Sequence, residues 1–465
     1  MTPDFHPGSF RDCEGRVFAS GERVFRTLSP QAAERMKRLE ARGCLKSLSD
    51  AGFLIPSWTT KAREASLNGE FGDTVLEHER LPLITYPYEW PFGMLQDAAL
   101  LTLDLLEAAL DFGLTLKDAT PFNVTLRKNR MVFFDTLSLD DYNEGRPWDG
   151  YSQFCREFLS PLLLTSSTGV PFQPWMRGEL DGLKAPHLSR LLGLRRVRKG
   201  VLSHVHLQAW FEKWLAKKGD VAVLDKFNAK TFSKVAMKGM VRKLRKSVSG
   251  LKGRTEASLW GDYGRTHSYL PEDEKKKEAF VAAAGKRFSG KVWVDLGCND
   301  GKYTLIAGAH ASRAIGLDLD PEAVDGFYAR TRGDAGVPFY PMVCNLMNPS
   351  PSLGWRLRER ASLFDRAGGE AFLALALVHH LCIGANVPLA EFVSLLKTFG
   401  RGGVVEWVGK EDAMVRRLLR NRKDIFEDYD WETFKGLLER SFHLQGVAET
   451  HGGARKLCLV LPHEG

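Results

Sequence analysis

The stretch Lys291–Thr304, KVWVDLGCNDGKYT, decides the reading of this 465-residue chain. Val292, Trp293 and Val294 are β-prone and apolar, Asp295 follows at their end, and Gly297 and Gly301 bracket a turn that runs into a helical pattern. Glycines at such a turn let the backbone approach a ligand closely, and the carboxyl ends of parallel strands are where open α/β sheets bind them. A second apolar run, RAIGLDLD, ends in Asp318, 23 residues after Asp295. A carboxylate at that strand tip suits hydrogen bonding to a ribose diol. From Lys291 onwards strand, loop and helix alternate, which predicts a doubly wound parallel sheet.

The order Gly297-x-Asn299-x-Gly301, with an acid just before it, is not the dinucleotide pattern G-x-G-x-x-G. It resembles motif I of class I S-adenosylmethionine-dependent methyltransferases, with Asn299 where that family carries glycine. The resemblance implies an α/β Rossmann-like domain over 272–465. It also implies S-adenosylmethionine as cofactor, held by Asp295, Gly297, Asn299, Gly301 and Asp318. In the same pattern FYPMVCNLMN is the third strand, placing Asn345 and Leu346 at the adenine, where the family more often has aspartate. LALALVHHL is the fourth, bringing His379 and His380 to the donated methyl group, and GGVVEWV the fifth, bringing Glu406. FHLQGVAETHGGARKLCLVL is expected to close the sheet as an antiparallel hairpin. Methyl transfer to a hydroxyl needs positioning and a base titrating near neutrality, so one histidine is expected as base with Glu406 orienting it. Tyr263 and Tyr269, upstream of motif I, are candidates for a lid over the sulfonium. No metal is expected in this domain: an adjacent His pair without acids at ligand spacing is not a metal set.

The N-terminal part, 1–245, has a different pattern. Gly15–Leu28 reads as a hairpin about a Ser-Gly turn, Ser29-Pro30 opens and Gly43 closes a helix, LPLITYPYEW reads as a buried strand, and a long apolar helix ends at Gly113. Then comes DATPFN, with Asp118 and Asn123, and Asp135 twelve residues after Asn123. Order and residues resemble the catalytic loop and metal aspartate of protein-kinase-like and aminoglycoside-kinase-like folds. The resemblance implies Asp118 as the proton acceptor and a magnesium ion at Asn123 and Asp135, beneath ATP. The chain departs from that pattern at Leu116-Lys117, at Thr136-Leu137 and in having no G-x-G-x-x-G loop, and Arg26 is the nearest basic residue to the missing strand lysine. YPYEW, LKDAT-PFN and DTLSL together resemble bacterial methyltransferases related to nodulation proteins. Polysaccharide kinase-methyltransferases carry the same two domain types in the other order. Both imply a saccharide or another polar, hydroxyl-bearing acceptor.

Composition bounds these readings. With 44% hydrophobic and 26% charged residues the chain is of ordinary globular type, and its apolar runs fall well short of the ~20 residues that cross a bilayer. The N-terminus lacks the basic-then-apolar order of an export signal, and the seven cysteines are odd in number and never spaced C-x-x-C, so a cytoplasmic location with reduced thiols is expected. The net charge of +8 is local: Lys226–Arg254 holds ten Lys and Arg and no acid. That segment, and a linker expected at 246–271, raise a nucleic-acid methyltransferase as a possibility that the balance of the remaining chain argues against. A bifunctional kinase-methyltransferase using ATP and magnesium also stays open, as does an N-terminal domain serving as a partner-binding scaffold. Nothing in the sequence fixes the oligomeric state.

Overall fold

The computed structural model describes residues 4–65, 72–193, 233–253, 271–420 and 423–463. Two compact units emerge. The first comprises Met1–Arg127, Met131–Glu256 and Ser352–Ala361, and the second Lys128–Arg130, Ala257–Pro351 and Ser362–Gly465.

In the first unit β1 (Val17–Ser20) and β2 (Arg23–Thr27) form the expected hairpin. With β3 (Ser57–Lys61) and β4 (Thr74–His78) they make an antiparallel sheet in the order β1-β2-β4-β3. Ser29 caps the helix Pro30–Ala41 by accepting from the Ala32 N–H, and Gly43 leaves it in a left-handed conformation. LPLITYPYEW is not a strand. It is a buried irregular segment with a 3-10 turn at Pro87–Glu89, because Pro82 and Pro87 cannot donate to a ladder. Side-chain hydroxyls meet its polar groups instead: Thr85 N–H bonds Thr125 Oγ1, and Trp90 Nε1 bonds Thr85 Oγ1 at 2.8 Å. The long helix Phe92–Asp111 follows, then β5 (Leu114–Leu116), the hairpin β6 (Val124–Arg127) and β7 (Arg130–Phe133), and β8 (Leu139–Asp141), which pairs with β5.

The basic segment is part of this unit. Lys234–Ser249 is a helix that buries Met237, Val241, Leu244 and Val248, a stripe at helical spacing. Its charges meet acids of the helix Phe92–Asp111: Lys238 pairs with Asp111, Arg242 with Glu107 and Arg245 with Asp104. The expected linker therefore does not begin at 246, since helix and packing run through Ser249. Three of the cations that raised the question of nucleic acid are already paired.

The second unit is a seven-stranded sheet: β9 (Val292–Leu296), β10 (Arg313–Asp318), β11 (Phe339–Val343), β12 (Ala371–Ala374), β13 (Gly402–Val408), β14 (His443–Thr450) and β15 (Arg455–Leu461), in the order β11-β10-β9-β12-β13-β15-β14. The first five are parallel, and β15 is antiparallel to both β13 and β14, as the terminal hairpin was expected to be. The sheet is Rossmann-like, its strand order reversing between β9 and β12. Its central strands β9, β12 and β13 are buried along their whole length, as a sheet covered on both faces requires. Trp293, Phe327 and Phe339 anchor the core on one side of it.

Candidate functional site

The turn after β9 has the shape its residues dictate. Gly297 and Gly301 sit at φ 82° and 78°, and a Cβ at Gly301 would come within 2.1 Å of the Phe327 ring. Asn299, in the place of a glycine, also takes the left-handed conformation (φ 50°), which asparagine tolerates better than other side chains. Its Oδ1 accepts the Asp300 N–H at 2.7 Å, so the substitution keeps the loop geometry and braces it.

Asp318, at the tip of β10, accepts the Asn299 N–H at 2.8 Å through one oxygen and the Asp320 N–H at 2.9 Å through the other. A carboxylate offers about four lone-pair sites, so these backbone bonds do not exhaust its capacity for a diol. Asp318 thus fits the ribose of a nucleoside cofactor and ties the two loops together. Asp295 is different. It is 2% exposed and accepts the Thr304 hydroxyl at 2.5 Å. Burial, reinforced by nearby Asp318, pushes its carboxyl up to about 7.

That shift has a sign. A carboxyl whose folded pKa lies above its unfolded value of 3.8 contributes stability that is complete below about pH 4 and lost as pH rises through 7. Asp295→Asn, which keeps an oxygen for Thr304, is expected to gain melting temperature relative to wild type steadily from pH 4 to pH 7. Thermal melts across that range check it, and a constant difference counts against the assignment.

Asn345 follows β11 and is exposed. Its Oδ1 accepts the Met347 N–H at 2.9 Å, making an Asx turn, while Leu346 is half-buried beside it. The oxygen expected on adenine is thus already used once by the backbone. Tyr263 and Tyr269 lie outside the described residues.

After β12 the chain enters a turn with Ala376 at φ 50° and then His379 and His380, whose rings lie 4.0 Å apart. His379 is fully buried, with neither ring nitrogen hydrogen-bonded. Burial, then His380, Arg455 and Lys277, hold its pKa well below the ordinary value. His380 is pushed down to about 4 by burial and Arg455. The expected base titrating near neutrality is therefore not what the structure presents. Burial disfavours the charged form of both rings, which argues against either of them storing the acceptor's proton.

Glu406 also departs from expectation. Instead of orienting an imidazole, its carboxylate takes Lys277 Nζ at 2.6 Å and the Ala376 N–H at 2.9 Å, and lies 3.7 Å from Arg455. Arg455 bonds Asp412 at 2.7 Å. Burial alone would raise the Glu406 carboxyl, yet Lys277 and Arg455 bring it below its ordinary value. What Glu406 holds is the strained turn that carries the histidines. The sequence offered no sign of this: Lys277 sits in a KKK run that looks like a solvated face, yet it is 3% exposed.

In the first unit Asn123, Asp135 and Arg26 come together, and Asp118 lies near enough to feel the Asp135 charge. Asn123 Nδ2 and Ser138 Oγ donate to one oxygen of Asp135. The Arg26 guanidinium bonds the other oxygen and also Asp12. Asp118, half-buried beside Asp135, has its carboxyl raised by burial and by that neighbour. The expected magnesium position does not fit these residues, since a cation on Asp135 would have to displace the guanidinium. Lys117 and Arg35 likewise pair with Glu14.

Fold and site define a two-unit chain whose second unit is a Rossmann-like domain with a glycine-bearing turn after its first strand and an acid at the tip of its second. The chain belongs to the family of the nodulation protein NoeA of Rhizobium meliloti (strain 1021). It is 37% identical to that protein over 456 residues, 97% of this chain and 94% of the relative. No protein-family model matches it. Among solved structures it is similar to the N-methyltransferase NodS of Bradyrhizobium japonicum WM9, at 11% identity and TM-score 0.30 over 42% of this chain and 98% of that one. It is also similar to the magnesium protoporphyrin IX methyltransferase of Synechocystis PCC 6803, at 12% identity and TM-score 0.30 over 45% and 90%. A third is the bifunctional kinase-methyltransferase WbdD, at 17% identity and TM-score 0.29 over 45% and 42%. Likenesses at this level carry no inference about activity.

Proposed function

We propose that the chain is an S-adenosylmethionine-dependent methyltransferase acting on a polar, hydroxyl-bearing acceptor such as a saccharide. The observation that carries this reading is the pairing of Asp318 with the Asn299 turn at the switch point of the sheet. It leaves a carboxylate with free lone pairs beside a glycine-bearing loop. When bound, S-adenosylmethionine supplies an electrophilic methyl on a sulfonium. The chain's own part is positioning. Asp318 holds the ribose, the turn at Gly297–Gly301 gives the backbone access, and Asn345 and Leu346 flank the base. Glu406, braced by Lys277 and Arg455, sets the turn that presents His379 and His380. His380, the partly exposed ring of the pair, is placed to help position the acceptor for in-line attack, while His379 is fully buried.

For the first unit, a kinase-like shape without phosphoryl transfer agrees best with Arg26 occupying Asp135, and a substrate- or partner-binding role follows. A bifunctional kinase-methyltransferase needs that ion pair to open. One thermal-shift panel tests both readings. S-Adenosylhomocysteine at a hundredfold excess over its Kd should stabilise the protein by about 2.7 kcal/mol. Magnesium with ATP should leave the melting temperature unchanged. No shift with S-adenosylhomocysteine sinks the methyl-transfer reading. A shift with magnesium and ATP that disappears in Asp135→Ala restores the bifunctional one.

A further inference from the structure

Within the first unit, Ser352–Ala361 forms a loop whose base is fixed and whose tip is strained. An antiparallel bridge between Leu353 and Arg360 closes the base. Tyr86 Oη accepts the Ala361 N–H at 3.1 Å, and the Arg360 guanidinium lies 4.6 Å from the Phe122 ring centre. At the tip Arg356 and Leu357 both take positive φ, 55° and 56°, held by Leu357 N–H to Gly354 O and Arg358 N–H to Trp355 O. Neither arginine nor leucine adopts that conformation without cost, and two in succession mark a shape the surrounding structure imposes.

What the shape achieves is exposure. Trp355 is 62% exposed and Leu357 65%, although a water-facing tip gains nothing from large apolar side chains. Arg356 and Arg358 are exposed too, with no ion-pair partner among the described residues. A second segment extends the patch. Arg11 bonds Glu359 at 2.5 Å, and Phe10 beside it is 41% exposed. Glu359 is buried and neutralised by that bond, so it leaves the arginines of the tip uncompensated.

Tryptophan and leucine at a fixed tip, ringed by free guanidinium groups, match a surface that is apolar within and anionic at its face. We infer that this patch docks the protein on an anionic phospholipid bilayer, with Trp355 and Leu357 entering the headgroup boundary and Arg356 and Arg358 pairing with lipid phosphates. Aromatic side chains favour that boundary, and juxtamembrane basic residues are drawn to anionic lipids. A saccharide ligand would explain the tryptophan but not the uncovered leucine. A protein partner is an outcome of the test. The inference stands apart from the methyl-transfer reading, which concerns the second unit.

Co-sedimentation of the full chain with vesicles tests it. Wild type should sediment with phosphatidylcholine–phosphatidylglycerol vesicles, not with phosphatidylcholine alone, and should be released by high salt. Arg356→Gln and Arg358→Gln should each weaken binding about fivefold. Trp355→Ala/Leu357→Ala should lose most of it while keeping the wild-type melting temperature and circular dichroism, since these side chains are exposed. No binding to anionic vesicles by wild type overturns the inference. So do equal binding to both vesicle types and undiminished binding by the double variant; if the double variant instead loses only a co-purifying protein, the patch is a protein interface and the lipid assignment falls.

Discussion

Glu406→Ala should cost the second unit about 3–5 kcal/mol of stability. The reason is what stays behind. Lys277 is 3% exposed and Arg455 4%, and both face the Glu406 carboxylate. Removing that carboxylate takes from both buried cations the acid they share, while Arg455 keeps its bond to Asp412. The Ala376 N–H also loses its acceptor, so the strained turn before His379 is released. Calorimetry should show the unit melting at lower temperature. Lys277→Met/Glu406→Met should recover part of the loss, because a matched apolar pair carries no desolvation penalty. A deficit below about 1 kcal/mol, or no recovery in the double variant, would mean that the network is not what holds the turn.

That network shows where sequence reasoning runs out. The strand tips were legible: Asp295, Asp318 and Glu406 each lie in or at the end of the strand assigned to them, and the terminal hairpin closes the sheet as expected. Apolar runs bounded by glycine and acid encode strands locally, so pattern suffices. The partners of a buried acid are not local. Lys277 and Arg455 lie 129 and 49 positions from Glu406, and nothing in their neighbourhoods separates them from solvated charges. The histidines show the same limit, because their pKa values depend on burial and on those cations. In the first unit the three polar residues of the kinase-like pattern were legible, and two of them, Asn123 and Asp135, are hydrogen-bonded. Arg26, named in the sequence as the nearest basic residue, turns out to lie on Asp135. The misread segment is LPLITYPYEW, whose apolar content signals burial while its prolines forbid the ladder.

The second large effect concerns Asp318. Its carboxylate is committed to the Asn299 and Asp320 N–H groups and still has room for a diol, so it joins loop order to cofactor binding. Two charge-assisted hydrogen bonds to a ribose, at roughly 1.5–3 kcal/mol each, make Asp318→Ala worth about a hundredfold or more in affinity. Asp295→Asn should leave affinity close to wild type, since Asp295 faces Thr304 and the interior.

Isothermal titration of S-adenosylhomocysteine into the full chain tests the central claim most directly. Saturable one-to-one binding in wild type and in Asp295→Asn, with none measurable in Asp318→Ala, is the result expected. Absence of binding in wild type, or equal binding by Asp318→Ala, would contradict it.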